Sequence, residues 1–211
     1  MEEFDTKINA IKWIAVITMV IDHVGLYLLD GQEMLLFRTI GRLCLILWPY
    51  TIVWGLKRAK SVIKYLNVIA YVAVSSQIVY MLLGLNELNP IFGLLLGGIY
   101  IYSVEKGKTW HAIMCFPLLV FVPWLFFAIV LTLYYFWSSK FWQIITVSIV
   151  IILSSLPSLV TVAIQLFGVT MGFIIINYIP GVTLRINRYI WLNFYNLHLW
   201  ILLCVGGLKN G

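Results

Sequence analysis

Long apolar runs separated by short polar loops are the feature that most constrains the fold of this chain. A helix needs about 20 mostly apolar residues to cross the hydrocarbon core of a bilayer. Backbone groups in lipid must find their hydrogen bonds within the segment, which favours helices. Only 10% of the 211 residues are charged, against about 25% in a typical soluble domain. The sequence therefore predicts a single all-α domain over residues 1–211, a polytopic membrane helix bundle.

Nine apolar runs are candidate spans, so we expect about nine transmembrane helices, some of them short or kinked. The runs are Ile8–Leu29, Leu36–Leu56, Tyr65–Leu83, Ile91–Val104, Trp110–Val120, Trp124–Phe136, Phe141–Leu156, Leu159–Ile179 and Ile190–Val205. Proline breaks or kinks a helix. Pro117 and Pro123 therefore leave open whether Trp110–Phe136 is one kinked helix or two half-length helices.

The distribution of basic residues predicts the orientation of the bundle. Cytoplasmic loops of membrane proteins are enriched in Lys and Arg. With a cytoplasmic N-terminus, the inner loops carry the basic residues, whereas the outer loops DGQEML and LNELNP carry none. The N-terminal MEEFDTK lacks the basic start of a secretory signal. We therefore expect a multi-pass protein of the cytoplasmic membrane, surrounded by lipid, with no nucleic-acid partner because the charges do not gather on a soluble face.

Four ionisable residues lie inside the first two predicted spans. Asp22 and His23 are adjacent in the first span, and Arg38 and Arg42 lie about one helical turn apart in the second. Such groups are costly in lipid unless they pair or line a wet cavity, so they indicate a functional site. Counting from the short connecting loop places His23 and Arg42 at one depth. Asp22 can then neutralise Arg42 or Arg38. A purely structural ion pair that locks two helices is the alternative.

Further polar residues extend this hypothesis. His198 lies in the last span, and Gln77 in the third is interpreted as a hydrogen bonder between packed segments. Lys12 precedes His23 by eleven positions and lies on nearly the same helical face, about three turns away. No spacing of histidines, cysteines and carboxylates suggests a metal site.

Two stretches near the N-terminus, IKWIAVITMVIDHVGLYLL and LFRTIGRLCLILWPY, resemble the opening of the TraX family. The resemblance continues in order through Ser76-Gln77, through LNPIFG and LG, and through FYNLHL near the C-terminus, so it covers nearly the whole chain. The named member of that family acetylates the N-terminus of conjugative pilin. The family is also similar to integral-membrane acyltransferases that modify surface glycans and carry a basic residue, ten intervening positions and a histidine. Lys12 and His23 have that spacing.

The resemblance implies acyl transfer from acetyl-CoA to an amine or hydroxyl of an exported peptide, a pilin-like protein or a surface glycan. Attack on a thioester needs a base and a cation that stabilises the oxyanion. In this mechanism His23 is the expected base, with His198 as a second candidate or an acceptor-positioning group. Arg42 and Arg38 stabilise the oxyanion or bind a phosphate of the donor, and Asp22 orients them.

The nucleotide end of acetyl-CoA is expected near the predicted cytoplasmic surface. Lys12 and the loop residues Lys57, Arg58 and Lys60 are the candidates to bind its phosphates, although these loop cations also fit a role in topology alone. Two other functions remain open from the sequence. A transporter would use Asp22, His23 and Arg42 as a proton or anion relay, and a membrane scaffold would use them only for packing.

Overall fold

The structure is a computed structural model. It describes residues 2–108, 110, 125–136, 139, 143–149, 159–184 and 187–209. These residues are mostly helical, and none of them forms a strand, which confirms the predicted all-α class for this part of the chain. Most of the predicted spans Trp110–Val120 and Phe141–Leu156 lies outside the described residues, as does the question raised by Pro117 and Pro123. The count of about nine spans therefore stays a prediction.

Eight helices longer than ten residues lie in the described ranges. They are α1 (Glu2–Leu28), α2 (Gly31–Gly41), α3 (Cys44–Arg58), α4 (Val62–Leu82), α5 (Pro90–Glu105), α6 (Leu125–Phe136), α7 (Leu159–Tyr178) and α8 (Arg188–Lys209). Residues 143–149 are also helical. The helices agree with the corresponding predicted spans within a few residues, except at the second span.

Four of the described helical segments are long and apolar enough to cross a membrane. They are Asp5–Leu28, Gly31–Arg58, Val62–Leu82 and Leu159–Tyr178. Pro90–Glu105 and Phe127–Phe136 are shorter apolar helices. The protein is thus a membrane protein by the length and composition of its helices.

The second predicted span differs from the structure in two ways. Helix α2 begins at Gly31 rather than Leu36, because the polar residues of the loop form its first turn, where Glu33 faces the positive end of the helix dipole. Gly31 has a φ of 59°, which allows the tight turn between α1 and α2. The span is also divided at Arg42 and Leu43, where a short turn separates α2 from α3. This turn places Arg42 at a bend inside the bundle.

Helix α1 is central, since it packs against α2, α3 and α8. Helix α4 joins α5 to α8, and α3 also contacts α6 and α7. Aromatic side chains bridge α3 to α8, with the rings of Trp48 and Trp191 centred 4.9 Å apart in an edge-on arrangement. The interior between α1, α3 and α8 is therefore the part of the bundle in which the charged residues of α1 and the Arg42 turn meet the last helix.

A polar cluster fixes the loop between α4 and α5. Asn89 is fully buried, and its Nδ2 donates to the carbonyl of Ala73 at 2.8 Å and to Gln77 Oε1 at 3.0 Å. Its Oδ1 accepts from the backbone N–H of Ile91 at 3.0 Å, which caps α5. Gln77 also donates to the carbonyl of Glu87 at 3.0 Å. These bonds agree with the interpretation of Gln77 as a packing residue.

Candidate active site

The four ionisable residues predicted from the first two spans meet at one cavity of about 270 Å³. Asp22 and His23 reach it from α1, Arg38 from α2, and Arg42 from the turn before α3. Tyr195 of α8 also lines it. We call this the first cavity. Its lining combines two carboxylates, those of Asp22 and Glu87, with two guanidinium groups, an imidazole and mainly apolar side chains.

The predicted pairing of Asp22 with the arginines is present. Arg38 Nη1 donates to Asp22 Oδ2 at 2.8 Å, and Arg42 Nε lies 3.8 Å from Asp22 Oδ1. Asp22 and Arg42 are both buried, at 6% and 7% exposure. Within the described part of the chain, the Arg42 guanidinium makes no hydrogen bond, so its donors are available to a ligand in the cavity.

Two glycines allow this close packing of charged residues. A side-chain Cβ at Gly41 would lie 2.7 Å from Asp22 Oδ1. A Cβ at Gly168 of α7 would lie 2.6 Å from the Cβ and 2.8 Å from the carbonyl carbon of Arg42. All three distances are too short for a real Cβ. The turn at Arg42 therefore requires glycine at position 41 of α2 and at position 168 of α7, a helix that is distant in sequence.

The hydrogen bonds of the two histidines assign their neutral tautomers. His23 Nδ1 lies 2.9 Å from the carbonyl of Met19, and His198 Nδ1 lies 3.0 Å from the carbonyl of Phe194. A carbonyl oxygen can only accept, so each Nδ1 carries a proton and each Nε2 carries a lone pair. His23 lines the cavity, and among the described residues its Nε2 has no hydrogen-bond partner. This lone pair can accept a hydrogen bond from a group in the cavity.

His198 lies behind His23 rather than in the wall of the cavity. Its Nε2 is 3.2 Å from His23 Nδ1, and the two ring centroids are 4.8 Å apart. In the assigned tautomers the proton on His23 Nδ1 is shared between the Met19 carbonyl and the lone pair of His198 Nε2. His198 is 3% exposed and belongs to α8. It therefore orients the imidazole of His23 from behind.

A second cavity of about 210 Å³ lies nearer the end of the bundle where α1 and α4 begin and α3 ends. We call this end the basic end. Lys12 of α1 and Arg58 of α3 both line this cavity, as the sequence grouping of these two cations anticipates. Arg58 also forms an ion pair with Asp5. Along α1 the rise from Lys12, in the second cavity, to His23, in the first, is roughly 16 Å.

The other two candidate phosphate-binding residues are placed differently. Lys57 lines a third cavity, where its Nζ lies 4.9 Å from the ring centroid of Tyr135. Lys60 is exposed in the turn between α3 and α4 and lines none of the described cavities. The structure thus brings Lys12 and Arg58 together but separates them from Lys57 and Lys60.

Several residues of the site could not be recognised in the sequence. Tyr27, Trp48 and Tyr195 line the first cavity, and each has a buried polar atom without a partner among the described residues. Aromatic residues are so frequent in this chain that none of these stands out, although Tyr195 precedes His198 by one turn on the same helix. Buried polar atoms are nearly always paired, so unpaired ones around a cavity call for ordered water or a polar ligand.

Comparison with protein families identifies the chain. The family model described as TraX protein matches residues 7–206, nearly the whole length. The chain belongs to the TraX family. The resemblance found in the sequence is thereby confirmed, and the TraX family is associated with pilin acetylation. No curated protein and no solved structure matches this TraX-family chain at a significant level.

Proposed function

We propose that this TraX-family protein is a membrane-embedded acetyltransferase. It moves the acetyl group of acetyl-CoA to an amine or hydroxyl of an acceptor on the far side of the membrane. The acceptor is an exported peptide, a pilin-like protein or a surface glycan. The observation that carries the proposal is the lone pair of His23 Nε2 in the same cavity as the unbonded donors of Arg42.

His23 acts as the general base. Its Nε2 takes the proton from the neutral amine or hydroxyl while that group attacks the carbonyl carbon of the thioester. The tetrahedral intermediate then collapses with cleavage of the C–S bond, and His23 returns the proton to the CoA thiolate. The proton and the leaving group are thereby accounted for without a further reactant. His198 keeps the imidazole in the required tautomer through the 3.2 Å contact with Nδ1.

Arg42 stabilises the negative charge that develops on the thioester oxygen. Its donors face the cavity from a buried turn, where a charged hydrogen bond is stronger than in water. Asp22 limits the cost of burying this cation, because it lies between the two arginines. Arg38 has its Nη1 engaged by Asp22 and contributes less to the oxyanion.

The size of the first cavity restricts which parts of the substrates it can hold. Pockets for drug-sized ligands measure roughly 300–1,000 Å³, whereas this cavity holds about 270 Å³. It suits an acetyl thioester and the reacting group of an acceptor, but not a whole CoA molecule. In this proposal the nucleotide binds at the basic end, near Lys12 and Arg58. The excess of basic residues there favours the cytoplasmic side, where acetyl-CoA is made.

Release of CoA thiol by the purified protein in lipid nanodiscs tests the proposal. The assay uses acetyl-CoA with a mixture of extracted peptides and glycans, and compares the wild type with His23→Ala. Thr18→Ala is the matched control, because Thr18 is a buried polar residue of α1 that bonds its own helix and does not line the cavity. We expect turnover in the wild type and the control, and a loss of about 10²–10⁴-fold in His23→Ala.

Other outcomes separate the alternatives. Equal turnover in all three proteins would reject His23 as the base. Uptake or efflux of a solute in vesicles without any consumption of acetyl-CoA would identify a transporter. Intact partner binding without turnover would identify a scaffold.

A further inference from the structure

The first and second cavities lie along one line inside the bundle. On α8, Trp191 lines the second cavity and Tyr195, one turn later, lines the first. On α1, Lys12 and His23 lie on nearly the same face and line the second and first cavities, respectively. Helix α3 contributes Cys44, Leu45 and Trp48 to the first cavity and Thr51, Trp54, Gly55 and Arg58 to the second. The same three helices therefore enclose both spaces.

Three aromatic side chains lie where the walls of the two cavities meet, and we call them the aromatic partition: Trp48, Trp191 and Tyr195. Trp48 belongs to the wall of the first and Trp191 to the wall of the second, and their ring centroids are 4.9 Å apart. The ring of Tyr195 lies 5.5 Å from that of Trp48. The walls of the two cavities therefore meet at these three rings.

The partition holds buried polar groups that the described residues do not satisfy. The indole Nε1 atoms of Trp48 and Trp191 and the hydroxyl of Tyr195 have no hydrogen-bond partner in the described part of the chain. Trp48 is 4% exposed and Trp191 is 2% exposed. An indole N–H is a donor only, so both groups call for an acceptor. A buried N–H group without an acceptor costs free energy. A ligand whose carbonyl oxygens accept from both indole N–H groups would remove this cost.

We propose that this partition, formed by Trp48, Trp191 and Tyr195, is the binding subsite for the pantetheine arm of the acyl-CoA donor. The inference rests on the proposed acetyltransferase function and adds the path of the donor. The indole N–H groups donate to the amide carbonyls of the arm, the thioester reaches His23, and the nucleotide remains in the second cavity beside Lys12 and Arg58.

The unsatisfied donors distinguish this ligand from a lipid chain. A hydrocarbon tail that entered the same space would leave both indole N–H groups without an acceptor. A pantetheine arm carries two amide groups along a slender, flexible chain and ends at the thiol that bears the acetyl group. Cations at the opposite end of the path match the phosphates of the nucleotide. The indole N–H groups and the cations therefore match successive parts of one acyl-CoA molecule.

Equilibrium binding in nanodiscs tests the subsite without requiring catalysis. The probes are desulfo-CoA, which keeps the arm, and adenosine 3′,5′-bisphosphate, which lacks it. We expect Trp191→Phe and Trp48→Phe each to lower the affinity for desulfo-CoA about fivefold, through loss of one hydrogen bond. The affinity for the bisphosphate should not change. Trp110→Phe is the control, because Trp110 is 78% exposed and lines neither cavity.

A photoaffinity analogue of CoA with a diazirine in the arm provides a second measurement on the unaltered chain. Crosslinks to Trp48 or Trp191 support the subsite even if a variant fails to fold. Three results would overturn the subsite. They are an equal loss of affinity for both probes in the variants, equal affinity of the wild type for the two probes, and crosslinks confined to helices other than α3 and α8.

The outcomes also separate this inference from the proposed function. Binding that depends on the arm and on Trp191, without acetyl transfer to any acceptor, would retain the subsite and reject the transferase. Acetyl transfer by a Trp191→Phe protein with unchanged binding of both probes would retain the transferase and reject the subsite.

Discussion

The Nε2 atom of His198 lies 3.2 Å from the Nδ1 atom of His23, although the two residues are 175 positions apart in the chain. His198 accepts from the proton on His23 Nδ1 and does not itself line the first cavity. In the proposed mechanism its role is to position the base. That role requires the last helix to pack against α1, as it does in the structure.

Replacement of His198 is expected to lower kcat without changing KM. In His198→Ala the Met19 carbonyl still holds the His23 proton, so we expect a loss of roughly tenfold, less than the 10²–10⁴-fold loss from removal of the base itself. His198→Gln should recover part of the activity, because its side-chain oxygen can accept the same proton. Steady-state kinetics with acetyl-CoA check this. Equal losses in His198→Ala and His23→Ala would show that His198 shares the proton-transfer step.

Arg42 and Arg38 are expected to differ in their effect on catalysis. Arg42→Gln removes the donors that face the cavity and should reduce kcat by about 10²–10³-fold. Arg38→Gln mainly removes a partner of Asp22 and should cost less. Rates measured at saturating acetyl-CoA distinguish the two. A larger loss of kcat in Arg38→Gln than in Arg42→Gln would indicate that Arg38 stabilises the oxyanion.

Asp22 is expected to act chiefly on stability. Asp22→Asn leaves the buried Arg42 without its counter-ion, and breaking such a pair costs roughly 3–5 kcal/mol. Thermal unfolding in nanodiscs should show a lower midpoint for this variant. The double variant Asp22→Asn/Arg42→Gln removes both charges and should recover part of the loss. A double variant less stable than Asp22→Asn would contradict this account of the pair.

Gly168 is expected to be essential for the position of Arg42. In Gly168→Ala the new Cβ meets the Cβ and the backbone of Arg42, so the turn must shift and activity should fall with stability. Gly206→Ala is the control, because a Cβ at this helical position would meet no described atom within 4 Å outside its own turn of helix. Acetyl transfer and thermal unfolding are measured for both. Wild-type behaviour of Gly168→Ala would mean that the Arg42 turn tolerates displacement.

Lys12 and Arg58 are expected to bind the nucleotide, whereas Lys60 is not. Lys12→Gln and Arg58→Gln should raise KM for acetyl-CoA with little change in kcat, because the phosphates lie far from the reacting carbon. KM for S-acetylpantetheine, which lacks the nucleotide, should stay the same. Lys60→Gln serves as the control for loss of one positive charge at the basic end. A rise in KM of equal size in all three would indicate a general effect of surface charge.

The sequence predicts the membrane class and the charged cluster for clear physical reasons. Ionisable residues are rare in spans, so Asp22 and Arg42 stand out, and the short connection between α1 and α2 makes their helices neighbours. Helical periodicity then places Lys12 on the face of His23. Both relationships depend on local spacing, which the sequence shows directly.

The remaining features depend on contacts that no local pattern reveals. Gly168 meets Arg42 only after α7 packs against α2 and α3. The turn at Arg42 is absent from the hydropathy pattern, because the apolar run continues through it. The contact between Trp48 and Trp191 in the aromatic partition joins α3 and α8, which are distant in sequence. Tertiary packing, rather than propensity, creates these parts of the site.

Transfer of a deuterated acetyl group tests the central claim most directly. The protein in nanodiscs is incubated with deuterated acetyl-CoA and acceptor extract, and the masses of the acceptors are measured for the wild type, His23→Ala and Thr18→Ala. The account predicts one added deuterated acetyl group on an acceptor with the wild type and with Thr18→Ala, and almost none with His23→Ala. Labelled acceptor at the wild-type level in His23→Ala, or none with any of the three proteins, would contradict it.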